Sequence, residues 1–201
     1  MDRRISKGFL QAGIGYGGFC FPKDLEAFIY ISKKLGYEFG LLKEVKRIND
    51  EQRRYFVEKL KEHLWTMKDK KIAILGLSFK PETDDMRFAP SIDIVNFLWK
   101  EGASLSLYDP KALKEARTIF SAPSGSASGG RDKKIKFAKN PYEAARGSDC
   151  VCFLTEWEEF ACLDLKKIKR LMNYPLIADG RNIFDKNKIK QLGFEYIGIG
   201  T

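Results

Sequence analysis

Apolar residues change their spacing near residue 69, and that change divides the chain into two kinds of pattern. Before it the spacing is helical. Leu25, Phe28, Ile29, Ile31 and Leu35 recur at intervals of three and four and stop at Gly36, which predicts a helix capped by Asp24. A longer helical pattern runs from Leu41 to Trp65, with Val45, Ile48, Tyr55, Phe56, Leu60 and Leu64 broadly on one side. A helical unit of this size buries too little surface to stand alone. Its apolar faces are therefore expected to pack on the second region, on another domain, or on another copy.

After residue 69 short apolar runs alternate with helical ones. KKIAILG at 70–76, SLSLYDP at 104–110, CVCFLT at 150–155 and YPLIADG at 174–180 read as buried strands, with shorter strands at Ile135–Phe137 and Tyr196–Ile199. Helices are expected over Ser91–Trp99, Tyr142–Arg146, Leu163–Met172 and Lys186–Gln191. That alternation predicts an α/β fold: a Rossmann-like, mostly parallel sheet with helices on both faces, preceded by an all-helical segment. The division expected is 1–68 and 69–201. SAPSGSASGG at 121–130 has no large apolar residue to anchor it and reads as a mobile loop.

Charge adds little to the fold but narrows the partners. Lys and Arg exceed Asp and Glu by nine in 201 residues. The basic clusters at Lys59–Lys71, Arg131–Lys139 and Lys166–Arg170 each flank apolar residues, so they read as solvated faces. No zinc-finger or RNP-like pattern supports nucleic acid as a partner. No run reaches the roughly 18 apolar residues of a membrane helix, so no membrane is expected either. Cys150 and Cys152 share one face of a strand and read as core; Cys20, Cys162 and the single His63 make no metal-site spacing. This cysteine usage fits a cytoplasmic protein.

Three stretches suggest chemistry. In GIGYGGFCFPKD the glycines allow tight turns and close approach of backbone to a ligand. Cys20 then stands near a helix N-terminus and beside Lys23, an environment that favours a thiolate nucleophile. A buried structural cysteine is the competing reading. GLSFKPETDDMRFAPS follows a strand end with Lys80, Arg87, Asp84 and Asp85. Lys80 reads either as a cation for a ligand phosphate or hydroxyl or as a surface lysine, and Arg87 with an adjacent acid as a local ion pair. Gly76-Leu77-Ser78-Phe79 does not complete GxGxxG, which makes this sheet a poor candidate for NAD. Asp109-Pro110, Thr155-Glu156-Trp157 and Asp179-Gly180-Arg181-Asn182 close strands at the edge where such sheets bind ligands. Arg181 is suited to a phosphate; capping and turn roles are the alternative for each of these groups.

Taken together, GYGGFCFPKD, GLSFKPETDDMR, YDP, NPYEAARGSD, LTEWEEF and ADGRNIFD, in that order, resemble the UDP-glucose/GDP-mannose dehydrogenase family over nearly the whole chain. The resemblance implies NAD-dependent, two-step oxidation of UDP-glucose to UDP-glucuronate. It makes Cys20 the nucleophile that forms the thiohemiacetal and thioester, and Asp24 the group that holds or activates water. It assigns Lys80 and Arg181 to the UDP-sugar, Gly17 and Phe9 to the sugar-nucleotide pocket, Phe21 to the ring region, and Arg87 to NAD. Arg4 would reach the UDP-sugar of a neighbouring subunit in a homodimer formed through the helical segment. Phe19 and Phe88-Ala89 depart from the family's common Ser and Glu-Ser, and Gln11 from a lysine of animal members. The family's NAD-binding domain is missing from this sequence, so the chain is expected to bind nucleotide-sugar without oxidising it. GDP-mannose or UDP-N-acetylmannosamine as substrate, or a non-catalytic binding or oligomerisation module, are the competing readings.

Overall fold

The computed structural model describes residues 11–121 and 134–200. Arg4, Phe9 and the segment 122–133, which includes most of the serine- and glycine-rich stretch, lie outside the described residues. Helix α1 spans Cys20–Lys34 and α2 spans Gly40–Leu64. The sheet region follows in the order β1 Lys71–Leu75, α3 Pro90–Lys100, β2 Ser104–Tyr108, α4 Leu113–Ser121 and β3 Ile135–Phe137. After it come α5 Pro141–Ala145, β4 Cys150–Phe153, α6 Glu158–Ala161, α7 Leu165–Leu171, β5 Leu176–Asp179, α8 Lys186–Gln191 and β6 Glu195–Gly198.

All six strands are parallel, in the order β3-β2-β1-β4-β5-β6. That is the Rossmann order, with its switch point between β1 and β4. Central strands of such a sheet are covered on both sides, which is why β4 and β5 are buried at every position and read as continuous apolar runs. Alternate residues feed two cores. Ile72, Ile74, Leu105, Leu107, Cys150 and Cys152 pack with Phe56 and Leu60 of α2, Ile94 and Leu98 of α3, and Phe120 of α4. Ala73, Leu75, Val151, Phe153 and Ile177 face Ala144 of α5, Phe160 of α6, Ile168 of α7 and Ile189 of α8. Helices therefore cover both faces, as the pattern predicts.

The second half of α2 is thus part of the core of the sheet, while its first half and α1 present Phe28, Ile31, Leu35, Leu41 and Ile48 to the surface. The side of α2 that reads as uniformly apolar is buried only from Phe56 onwards. Asp24 is not a helix cap. α1 begins at Cys20, and Phe19 occupies the cap position without a side-chain hydrogen bond. Pro22 permits this because the first-turn N–H groups have no intrahelical partner to lose. Gly36 does end the helix, at φ +78°. The short helices α4 and α6 are additions to the elements expected from the pattern. No helix among the described residues is long and apolar enough to cross a membrane.

Candidate active site

The glycine run, residues 13–18, is an extended strap held at three points. Ile14 N–H donates to Gly180 O at 3.0 Å, which pins the strap to the end of β5. Asn49 of α2 accepts from Tyr16 N–H at 2.8 Å and donates back to Tyr16 O at 3.2 Å. Gly18 N–H donates to Arg87 O at 3.0 Å, joining the strap to the loop after β1. Gly15, Gly17 and Gly18 are each required by what touches them: a Cβ on Gly15, at φ +99°, would stand 2.7 Å from Asn49 Oδ1. A Cβ on Gly17 would stand 2.4 Å from Phe88 O, and one on Gly18, at φ +84°, would stand 2.7 Å from the Phe79 ring. Asn49 is a site-forming residue that the sequence does not announce: a polar position in a long helix gains its meaning only from a partner 33 residues away.

Cys20 is the first residue of α1 and is exposed. Asp24 lies one turn later on the same face, since residues four apart on a helix are neighbours, and it pairs with Lys23. A cleft of about 880 Å³ lies between the strap, α1 and α2; Asp24 lines it, whereas Cys20, Gly17 and Arg87 are not among its lining residues. Phe21, Asp24 and Arg181 all line it, together with apolar residues that include Phe28 and Ile31. Arg181 crosses from the end of β5 to reach this cleft. Its side chain is 16% exposed, its Nε donates to Leu154 O at 3.1 Å, and Glu156 stands 3.4 Å away. Burial pulls the guanidinium pKa below its ordinary value, and Glu156 partly offsets this. An arginine remains a cation at neutral pH, so a largely buried positive charge faces a cleft whose lining is mostly apolar, with Asp24 its one acidic member. Such a wall suits a ring system bearing an anionic group.

The turn that presents Arg181 is built on Asp179. This carboxylate is buried and accepts from Arg181 N–H at 3.1 Å, Phe184 N–H at 3.0 Å and Tyr196 OH at 3.0 Å. Burial raises its pKa, and these hydrogen bonds oppose the rise. Arg87 forms a paired-fork contact with Asp85, at 3.0 Å from Nε to Oδ1 and 2.7 Å from Nη2 to Oδ2. The hydrogen bonds from Arg87 hold the Asp85 carboxyl below its ordinary pKa. The Arg87 guanidinium also stacks 4.6 Å from the Phe19 ring, next to Cys20. Of the residues singled out in the sequence, Gly17, Cys20, Phe21, Asp24, Arg87 and Arg181 thus gather around the strap. Lys80 does not line the cleft; its ammonium lies 5.3 Å from the Phe79 ring, the ring that packs on Gly18.

At the sheet's switch point the loops after β1 and β4 close on each other. A Cβ on Gly76, at φ +94°, would meet Thr155 N at 2.6 Å, so the loops after β1 and β4 are in close contact there. Thr155 Oγ1 donates to Ser78 O at 2.6 Å across the same gap. Among the described residues no cluster of His, Cys, Asp or Glu could hold a metal ion.

Comparison with known proteins agrees with this architecture. The UDP binding domain of the UDP-glucose/GDP-mannose dehydrogenase family matches residues 73–186, and the central domain of that family matches residues 1–51. The UDP-glucose 6-dehydrogenase TuaD of Bacillus subtilis (strain 168) is 38% identical over 200 residues, covering 100% of this chain and 41% of its own length. The UDP-glucose 6-dehydrogenase of Rattus norvegicus is 39% identical over 212 residues, with coverage of 100% and 42%. A solved UDP-glucose dehydrogenase from Pyrobaculum islandicum superposes with a TM-score of 0.79 at 30% identity, covering 100% of this chain and 41% of that one. The UDP-D-ManNAc dehydrogenase of Pyrococcus horikoshii gives 0.74 at 27% identity, with coverage of 94% and 39%. The chain therefore spans about two fifths of the length of the curated relatives it matches. With its parallel sheet, its glycine strap leading to Cys20 and these matches, the chain belongs to the UDP-glucose/GDP-mannose dehydrogenase family.

Proposed function

We propose that this chain supplies the sugar-nucleotide site and the nucleophilic thiol of a UDP-glucose 6-dehydrogenase. The observation that supports it best is the meeting of two distant segments: Arg181, at the end of β5, lines the same cleft as Asp24 and Phe21 of the helix that begins at Cys20. In this reading residues 1–68 bring the thiol and 69–201 the UDP-sugar domain. Arg181 binds the diphosphate, Gly17 lets the strap approach the sugar-nucleotide, Phe21 packs against its ring region, and Lys80 offers a second cation. The Cys20 sulfur adds to the carbon of a C6 aldehyde, and the carbonyl oxygen takes up a proton as the C–S bond forms. Asp24, one turn along, accepts the proton of the water that later cleaves the acyl–sulfur bond. The family's oxidant is NAD, which accepts hydride when bound; Arg87 is the residue of this chain we place nearest to it.

The exposed apolar face of α1 and the first half of α2 fits a homodimer formed through these helices. UDP-glucose and UDP-glucuronate are the proposed ligands, and the four free thiols fit a cytoplasmic location. A test needs no turnover. Iodoacetamide labelling of the 201-residue chain, read by peptide mass spectrometry, should show UDP-glucose protecting Cys20 but not the exposed Cys162. Equal labelling of Cys20 with and without saturating UDP-glucose contradicts the assignment.

A further inference from the structure

We propose that Asp109 is a positioning residue, whose buried carboxylate fixes the segment 77–89 and, through it, the strap that leads to Cys20. The segment's part in ligand binding rests on the function proposed above; the latch itself does not. Asp109 directly follows β2 and is 1% exposed. Its Oδ2 accepts from Leu77 N–H at 2.7 Å, Ser78 N–H at 3.1 Å, Ser78 Oγ–H at 3.3 Å and Trp157 Nε1–H at 3.3 Å. Its Oδ1 accepts from Lys111 N–H at 2.9 Å and Ala112 N–H at 2.8 Å. These donors come from the loops after β1, β2 and β4, so one side chain ties together three loops at the carboxyl edge of the sheet.

A carboxylate offers about four lone-pair sites, and this one is saturated by protein donors. In dinucleotide-binding sheets of this topology an acid past the first βα turn reads a ribose hydroxyl. Asp109 has no acceptor capacity left for that task, and its function is turned inward. The consequence reaches the strap. Leu77 and Ser78 lead directly to Phe79, whose ring packs on Gly18, and Phe79 N–H donates to Asp85 O at 3.1 Å. Asp85 grips Arg87, and Arg87 O accepts from Gly18 N–H. Lys80 and Arg87 are therefore both held in place by backbone that Asp109 fixes.

Two substitutions separate the two oxygens. Asp109→Ser retains a short acceptor suited to the first turn of α4 but cannot reach Leu77 and Ser78. Asp109→Asn keeps one full-length oxygen, which will face the larger donor set at Leu77, Ser78 and Trp157. Amide hydrogen exchange on the 201-residue chain should then split. Asp109→Ser accelerates exchange at Leu77, Ser78 and Gly18, with Val151 and Cys152 of β4 unchanged. Asp109→Asn accelerates Lys111 and Ala112 instead. Affinity for UDP-glucose should fall on the order of tenfold in Asp109→Ser, the equivalent of one or two hydrogen bonds, and stay near wild type in Asp109→Asn. Identical exchange patterns in the two variants, loss of protection spread equally into β4, or faster exchange without weaker binding would each overturn the proposal. A wild-type chain with no affinity for UDP-glucose sinks the functional reading instead; the exchange pattern still decides whether the latch exists.

Discussion

Three glycines that look alike in sequence should respond to alanine in three different ways. At Gly17 the added Cβ would lie 2.4 Å from Phe88 O, 2.8 Å from Pro90 Cδ and 3.1 Å from Ala89 Cα. Ordinary contact begins near 3.4 Å, so the neighbour must retreat by about 1 Å, the difference between 3.4 and 2.4. What must retreat is backbone, and Ala89 and Pro90 are buried. The strap would separate from this loop and strain the Gly18–Arg87 hydrogen bond. Overpacking of this kind costs roughly 1–3 kcal/mol, and the hydrogen bond about 1 more. At Gly36 nothing lies within 4 Å, but φ is +78°; alanine there costs about 1–2 kcal/mol from the left-handed backbone alone. At Gly40, the first residue of α2, there is neither a neighbour within 4 Å nor a positive φ. Alanine should be neutral or stabilise by about 0.4–1 kcal/mol through the unfolded chain. Urea unfolding followed by circular dichroism would rank the three variants. A Gly17→Ala cost at or below that of Gly36→Ala would refute the claim that the strap is packed against the loop after β1.

Other outcomes follow from the same structure. With iodoacetamide, Cys20 and Cys162 of the folded chain should label and Cys150 and Cys152 should not, because both are buried and burial raises the Cys150 thiol pKa; mass spectrometry with and without urea reads this directly. Asp179 should titrate above its unfolded value of 3.8, with burial the main cause. The native state then binds more protons than the unfolded chain between the two pKa values, so its contribution to stability falls as pH rises through that window. Tyr196→Phe removes a hydrogen bond that favours the carboxylate and should move the Asp179 midpoint, followed by NMR, further up; a downward move would contradict the assigned geometry.

Much of the fold was legible because a parallel sheet imposes two plain demands, buried strands and intervening amphipathic helices. CVCF and LIAD are buried at every position and KIAIL at all but the first, so their places follow from apolar runs, while SLSLY shows itself by alternation, with Ser104 and Ser106 only partly buried. The start of α1 was not legible. Asp24 has the chemistry of a cap, but Pro22 is equally at home inside a first turn, and the strap delivers the chain to Cys20 already pointing along the helix. α4 was hidden because Lys114, Glu115 and Arg117 outnumber the buried Ala116 and Phe120 that hold it. At the site, Cys20 and Arg181 declare themselves by residue type. Asn49 and Asp109 do not, because their importance lies in backbone groups 31 to 33 residues away that they bind. Asp109 and Asp179 both resolve in favour of turn and cap roles, and each presents a neighbouring segment to the site.

The central claim is that this chain holds a site selective for UDP-glucose with Arg181 at its heart. Calorimetric titration of the 201-residue chain with UDP-glucose, with GDP-mannose as competitor, tests it most directly when run beside Arg181→Gln. Loss of a charge-assisted contact of about 1.5–3 kcal/mol predicts roughly 10- to 100-fold weaker binding in the variant, with saturable binding in the wild type that GDP-mannose does not displace. Equal affinity in wild type and Arg181→Gln, or displacement by GDP-mannose at the same concentration, would contradict the account.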